Sequence, residues 1–232
     1  LQEGLLVTAR RPEAEAVVDA FLATAMGEGC RRLSGEEARA LSPAIGPAVT
    51  AALFSPHEMR VESRDALPRL AAFLEAGGVD FLWRTAVRAV EAPRVKTARG
   101  TVEAETVIVC PGDDLGSLFA GRIARYGVTR CKLHMLRVAP LRRVRLPHAV
   151  MSDLGLARYA GYAALEEARA LAGRLDAEQA EHRRNGVHLI AVQSADGTLV
   201  VGDSHHYGAT PDPFQPAAVD ALILDELDTV IP

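Results

Sequence analysis

Between Arg64 and Gly112 an apolar helical run (Ala66, Leu67, Leu70, Ala71, Phe73, Leu74) ends at Gly77-Gly78, and the short segment Val79 to Trp83 follows. Thr85-Ala-Val87 comes next, then a small polar meander, then the apolar run Thr106-Val-Ile-Val-Cys-Pro-Gly112. A glycine-closed helix followed by strands in this order reads as the second half of a nucleotide-binding unit. The Gly-x-Gly-x-x-Gly fingerprint that opens such a unit occurs nowhere in the chain. The stretch therefore predicts part of an α/β domain, with strands at 79–83 and 106–112, and not the whole of one.

The 232 residues suffice for one large domain or two smaller ones. A net charge of −4 and a pI near 6.0 leave no basic footprint for nucleic acid or an anionic membrane surface. Three cysteines, Cys30, Cys110 and Cys131, lie far apart and without metal-ligand spacing. This fits a reducing cytoplasm and neither a disulfide framework nor a zinc site. No apolar run approaches the ~18 residues that cross a bilayer. The first residue is Leu and no secretory signal is present, so the chain reads as a piece of something longer.

Hydrophobic periodicity predicts a strand at Leu5–Val7 and a helix opened by Pro12 and running from Glu13 to Ala25. Ser34 before Glu36-Glu37 starts a short helix that ends at Ser42-Pro43, and Ala51 to Phe54 is a strand. Later come a strand from Val128 to Val138, a helix from Ala164 to Arg183, and a hairpin of 187–193 with 198–202 turned by Asp196-Gly197. A last helix begins at Ala217. Trp83 reads as core, and His57, His148, His182 and His188, without partners in sequence, read as structural.

Chemistry concentrates in two places. In Gly202-Asp-Ser-His-His-Tyr207 the residue two after Ser204 is His206, so the Gly-x-Ser-x-Gly elbow of a hydrolase is not formed. On a strand Asp203, His205 and Tyr207 share one face while Ser204 and His206 take the other. Asp203 with His205 begins a metal site, although sequence spacing offers no third ligand. Structural hydrogen bonding, or one histidine facing a substrate, are the other readings. Arg158-Tyr159-Ala-Gly-Tyr162 supplies a guanidinium that matches carboxylate or phosphonate oxygens, and two phenols that combine an apolar wall with a polar tip. His134 and Met135 alternate on their strand, so one of them faces away from any pocket.

Taken as an ordered series, helix, Gly77-Gly78, strand, Thr85-Ala-Val87, meander and Pro111-Gly112 resemble the D-amino-acid oxidase/glycine oxidase family of FAD-dependent amine oxidases. Arg158–Tyr162, the segment Thr129–Leu136 and the segment 197–207 add a likeness to its phosphonate-associated oxidoreductase subgroup. The resemblance implies an α+β fold: an antiparallel-sheet substrate domain with flanking helices (1–54 and 128–232) and the returning part of a split α/β FAD-binding domain (55–127). It places Val87, Cys110, Pro111 and Gly112 beside FAD. Arg158, Tyr159, Tyr162 and Met135 become substrate-binding residues, with His205 or His206 near the reacting amine. The implied reaction is oxidation of a C–N bond in a small amine, amino acid or aminophosphonate, with hydride passing to flavin N5. Relatives carry a lysine on the strand before Gly202, where this chain has Leu199-Val-Val201, which weighs against rapid use of oxygen. Without the fingerprint, these residues alone are expected not to retain FAD. A flavin-free binding module and a metal-dependent hydrolase centred on Asp203 and His205 are the alternatives.

Overall fold

A computed structural model describes residues 3–232. In chain order its elements are β1 (Leu5–Ala9), α1 (Pro12–Leu22), β2 (Arg31–Ser34), α2 (Gly35–Leu41), β3 (Ala51–Ser55), α3 (Ser63–Ala76), β4 (Val87–Glu91), β5 (Arg94–Thr97), β6 (Gly100–Glu103) and α4 (Ala120–Ala124). They continue as β7 (Arg130–Val138), β8 (Ala149–Met151), α5 (Ala160–Ala163), α6 (Ala168–Glu178), α7 (Ala180–Arg184), β9 (Ile190–Gln193), β10 (Leu199–Gly208) and α8 (Ala217–Val230). The chain divides into two units. The first comprises the stretch through Glu62, Lys132–His206 and Asp212–Pro232; the second comprises Ser63–Cys131 with Tyr207–Pro211.

The first unit is built on a seven-stranded sheet of order β2-β3-β1-β8-β9-β10-β7. Strands pair antiparallel at β2–β3, β3–β1, β8–β9 and β9–β10, and parallel at β1–β8, so the sheet is mixed. Strand alternation splits the core in two. Leu6, Ala52 and Val150 point to a cluster with Leu189, Val201, Val219 and Ile223, while Val7, Leu53 and Met151 point to one with Val17, Val18, Leu171 and Leu175. Helices α1 and α6 thus cover one face and α8 the other.

Local chemistry explains the helix ends. Pro12 occupies the first turn of α1, where a missing N–H costs nothing. Ser34 caps α2 with a full capping box: its hydroxyl accepts from the Glu37 N–H at 3.2 Å, and the Glu37 carboxylate accepts from the Ser34 N–H at 2.7 Å. The predicted single helix from Ala164 to Arg183 is instead α6 and α7, broken at Gln179 (φ −129°, ψ 43°) and not at Gly173. The Gln179 side chain is held in a polar network. It accepts from Arg11 Nη2 at 3.0 Å and donates to Glu226 Oε2 at 2.8 Å.

That network ties three distant segments. Buried Asp153 accepts from Arg10 Nη2 at 3.2 Å and from Arg11 Nη1 at 2.9 Å, and buried Glu226 accepts from Arg10 Nη2 at 2.7 Å. It fixes the 3₁₀ turn Asp153–Ala157 against β1 and α8.

In the second unit α3 ends as predicted, with Gly78 at φ +94° and the Val79 N–H returning to the Leu74 carbonyl at 3.0 Å. Strands β4, β5 and β6 form the expected antiparallel meander. The expected strands at 79–83 and 106–112 are not formed. A strand exists only through pairing, and among the described residues these segments have no strand alongside them. Ile108 is accordingly 83% exposed. Trp83, expected in the core, is 59% exposed and stacks on Phe81 with ring centroids 4.7 Å apart. No helix among the described residues is long and apolar enough to cross a membrane.

Candidate functional site

The first unit's polar centre is built by the outer half of the β9–β10 hairpin. Near the turn the register is regular, from Leu199 opposite Gln193 to Gly202 opposite Ile190. Beyond that, His188 and Asp203 exchange both backbone hydrogen bonds at 3.0 and 2.8 Å, and the His205 N–H reaches the Asn185 carbonyl at 3.0 Å. Two residues on one side, Leu189 and Ile190, are thus matched by Gly202 alone. This one-residue bulge turns His188 onto the face of Asp203 and His205. Gly186 sits under His205 with φ +62°, where a Cβ would lie 3.0 Å from His205 Cβ. Only glycine is accommodated there without strain.

Four side chains meet on this face. The Tyr159 hydroxyl lies 2.7 Å from His188 Nε2, with the two rings edge to face at 5.2 Å. The His188 and His205 rings are 4.9 Å apart. Asp203 Oδ1 stands 3.3 Å from His188 Nδ1 and 3.6 Å from His205 Nδ1. His205 Nδ1 donates to the Gly186 carbonyl at 3.2 Å. Tyr159 is delivered by the turn that Asp153 anchors, its N–H bonding the Gly155 carbonyl at 3.0 Å.

Burial sets the electrostatics. His188 is 1% exposed, and its pKa is pushed down to about 4, first by loss of solvent and then by electrostatic interaction with His205 and Arg158. Burial raises the Asp203 carboxyl, against the pull of His205 and Arg158. It also raises the Tyr159 phenol, with Asp203 adding to the effect. The centre therefore holds an imidazole that is uncharged at neutral pH, and burial favours the uncharged forms of the carboxyl and the phenol beside it. Arg158 acts electrostatically on all three and lines an open groove of about 600 Å³ with Asp176, Arg183 and Arg184.

Of the residues singled out in the sequence, Arg158, Tyr159 and His205 are brought together, with Asp203. His206 is not among them: strand alternation turns it to the other side of β10, where Lys132, His134 and burial depress its pKa. On that side buried His134 Nε2 pairs with Asp220 Oδ1 at 2.5 Å. Met135 lies beside Gly202, its sulfur 2.8 Å from where a Cβ at 202 would stand, and is half-exposed. Tyr162 packs on Phe21 at 4.5 Å against the α1–α6 cluster, and burial pushes its phenol up to about 12. His188, read as structural in the sequence, is the centre of the group. Counting back from the turn pairs it with Ser204, and the bulge that corrects this leaves no sequence signature.

In the second unit Val87 opens β4 and is exposed, and Cys110 is an exposed free thiol. Pro111 accepts a turn hydrogen bond from the Asp114 N–H, and Gly112 has φ +62° with open space where a Cβ would point.

A fold of this kind is known. The chain superposes on glycine oxidase from Bacillus cereus ATCC 14579 with a TM-score of 0.68 at 15% identity, covering 100% of this chain and 57% of that one. For L-proline dehydrogenase from P. horikoshii the TM-score is 0.70 at 18% identity, with 100% and 56% covered. For L-alpha-glycerophosphate oxidase from Mycoplasma pneumoniae with FAD bound it is 0.66 at 15% identity, with 99% and 57% covered. The chain thus spans a little over half the length of these relatives. No curated protein matches it. The mixed sheet, the separate meander unit and these superpositions agree with a family model, FAD dependent oxidoreductase, that matches residues 1–232 from end to end. The chain belongs to the FAD dependent oxidoreductase family.

Proposed function

We propose that this chain forms the substrate-binding part, and a returning segment of the cofactor part, of an oxidoreductase that oxidises the C–N bond of a small amine or amino acid bearing an acidic group. The observation that carries the reading is the convergence of Tyr159, His188, Asp203 and His205 within the electrostatic reach of Arg158. Arg158 would hold a carboxylate or phosphonate through the planar fork of its guanidinium. Arg183 and Arg184 line the same groove, Arg183 paired with Asp176 at 2.8 Å and Arg184 with Glu181, which leaves Arg158 as the arginine this reading relies on. The Tyr159 ring would wall the substrate, with its hydroxyl kept in place by His188.

An alkylammonium must lose its proton before its carbon can be oxidised. Asp203, whose carboxyl is raised by burial, is closer to matching neutral pH than an ordinary aspartate and would take that proton, with His205 beside it. Uncharged His188 adds no positive charge to repel the incoming ammonium. An aminophosphonate or a small amino acid is the favoured substrate class within this reading.

Gly112 fits a cofactor-facing position, because its left-handed backbone and the open space beside it admit close approach of a ligand. Val87, Cys110, Pro111 and Gly112 would hold FAD when it is bound, and FAD would supply the two-electron acceptor. The unpaired apolar segments 79–83 and 106–112 would pair with the remainder of the cofactor domain. The free, exposed thiols of Cys110 and Cys131 fit a reducing cytoplasm.

The test is anaerobic mixing of the purified full-length protein with small amino acids and aminophosphonates while the visible spectrum is followed. Bleaching of a flavin band, with an Arg158→Ala variant raising KM, is expected. A colourless protein sinks the flavin reading in favour of a non-catalytic module. These 232 residues expressed alone are expected to be colourless, for want of a phosphate-cradling loop.

A further inference from the structure

We infer that His188, Asp203 and His205 form a binding site for a divalent first-row transition-metal ion. Their ligand atoms all lie within 4.8 Å of one another, on one face of one hairpin. Neighbouring ligands around a tetrahedral ion with bonds of about 2.0–2.1 Å stand about 3.3–3.4 Å apart. The separations of 3.3 Å and 3.6 Å from Asp203 Oδ1 to the two imidazole nitrogens match that spacing.

Two buried atoms point to a cation there. His188 Nδ1 and Asp203 Oδ1 are sealed from solvent, and among the described residues neither has a hydrogen-bond partner although they face each other. Groups so buried ordinarily find one. Where Nε2 carries the ring proton and donates to Tyr159, Nδ1 presents a bare lone pair toward the carboxylate. A positive ion between them satisfies both atoms.

The surroundings supply what such sites need. Tyr159 orients His188 through the second ring nitrogen, as partners of metal-bound histidines do. The Gly186 carbonyl lies 3.2 Å from His205 Nδ1, offering a further oxygen. His205 carries its ring proton on Nδ1, so coordination there moves that proton to Nε2 by way of solvent, with no net release. Two imidazoles and a carboxylate, without thiolate, select Zn(II), Co(II), Ni(II) or Fe(II) over the alkaline earths.

The inference stands apart from the flavin reading, since binding is measured without substrate or turnover. An ion held by Asp203 and His205 would withdraw both from proton transfer, so the loaded enzyme is expected to be inhibited.

Chelator-stripped, tag-free protein is titrated with Co(II) and then with Zn(II). One equivalent of Co(II), with visible d–d absorption, no thiolate charge-transfer band and displacement by Zn(II), is expected. Asp203→Asn and His205→Gln should each cost more than the ~10–100-fold that loss of a supporting hydrogen bond costs, and Tyr159→Phe about tenfold. Should Asp203→Asn fail to fold, the partly exposed His205→Gln carries the test. No saturable uptake, uptake unchanged in both ligand variants, or a thiolate band assigning the metal to cysteine each overturns the proposal. A protein that oxidises an amine yet takes up no Co(II) fails this proposal alone. One that binds Co(II) but holds no flavin fails only the flavin reading.

Discussion

His188 and Asp203 exchange both of their backbone hydrogen bonds, at 3.0 and 2.8 Å, while their side chains face each other at 3.3 Å without forming one. The backbone pairing fixes the distance, and burial decides which protonation states tolerate it. The His188–Asp203 pair is held by the sheet and not by a side-chain hydrogen bond between the two, and its electrostatics therefore reflect on stability.

The first expectation concerns pH. His188 has an ordinary pKa of 6.5 and is pushed down to about 4 when folded, so the unfolded chain binds its proton first on acidification. Its contribution is complete above pH 6.5 and is lost as pH falls from there toward 4, by up to roughly 3 kcal/mol. Asp203, raised by burial, acts in the opposite sense over the acidic part of this range. Urea unfolding across pH 4 to 7 should show His188→Gln flattening the acid limb. In an Asp203→Asn background the limb should instead be steeper than in the parent. An unchanged limb in His188→Gln would refute the assignment.

A second expectation is steric. Gly186→Ala places a Cβ 3.0 Å from His205 Cβ at a φ of +62°. The conformation alone costs about 1–2 kcal/mol, and relief of the contact pushes His205 away from Asp203. Denaturation midpoints should fall accordingly, and the ¹⁵N chemical shifts of His205 should move. Gly173→Ala, at an open helical position, serves as the control and is expected to stabilise by roughly 0.5–1 kcal/mol.

The third follows from the buried network. Asp153→Asn keeps the shape but leaves Arg10 and Arg11 facing a neutral group in a site where Asp153 is 0% exposed. A loss of about 3–5 kcal/mol is expected from denaturant unfolding. Removal of Glu178, exposed and bonded to Arg11 from the rim, should leave the denaturation midpoint close to the parent's.

Much of the first unit was legible because its elements are specified locally. Pro12, the Ser34–Glu37 box, the Asp196-Gly197 turn and the short apolar runs of β1 and β3 each state their own geometry. The two segments read as strands in the second unit were misjudged because apolar character shows that a segment wants a partner, not that one is present. Trp83 was misread for the same reason. At the site, Asp203, His205, Arg158 and Tyr159 were visible as residue types suited to chemistry. Their company was not. His188 enters through a bulge that no pattern marks, and His206 leaves by simple alternation. Gln179 breaks a helix because its side chain is engaged far away in sequence, which local propensity does not register.

The bulge at Leu189–Ile190 has a consequence for how such a hairpin can change over time. Its inner half is committed to the hydrophobic interior, while its outer half carries chemistry, and a single residue sets the phase between them. Pairing the same residues without the bulge would leave the inner half untouched and shift the outer half by one position, presenting Ser204 in place of Asp203 opposite His188. Gain or loss of the bulge is thus a switch between alternative constellations drawn from the same side chains, a route to new reactivity that substitution would reach only in several steps.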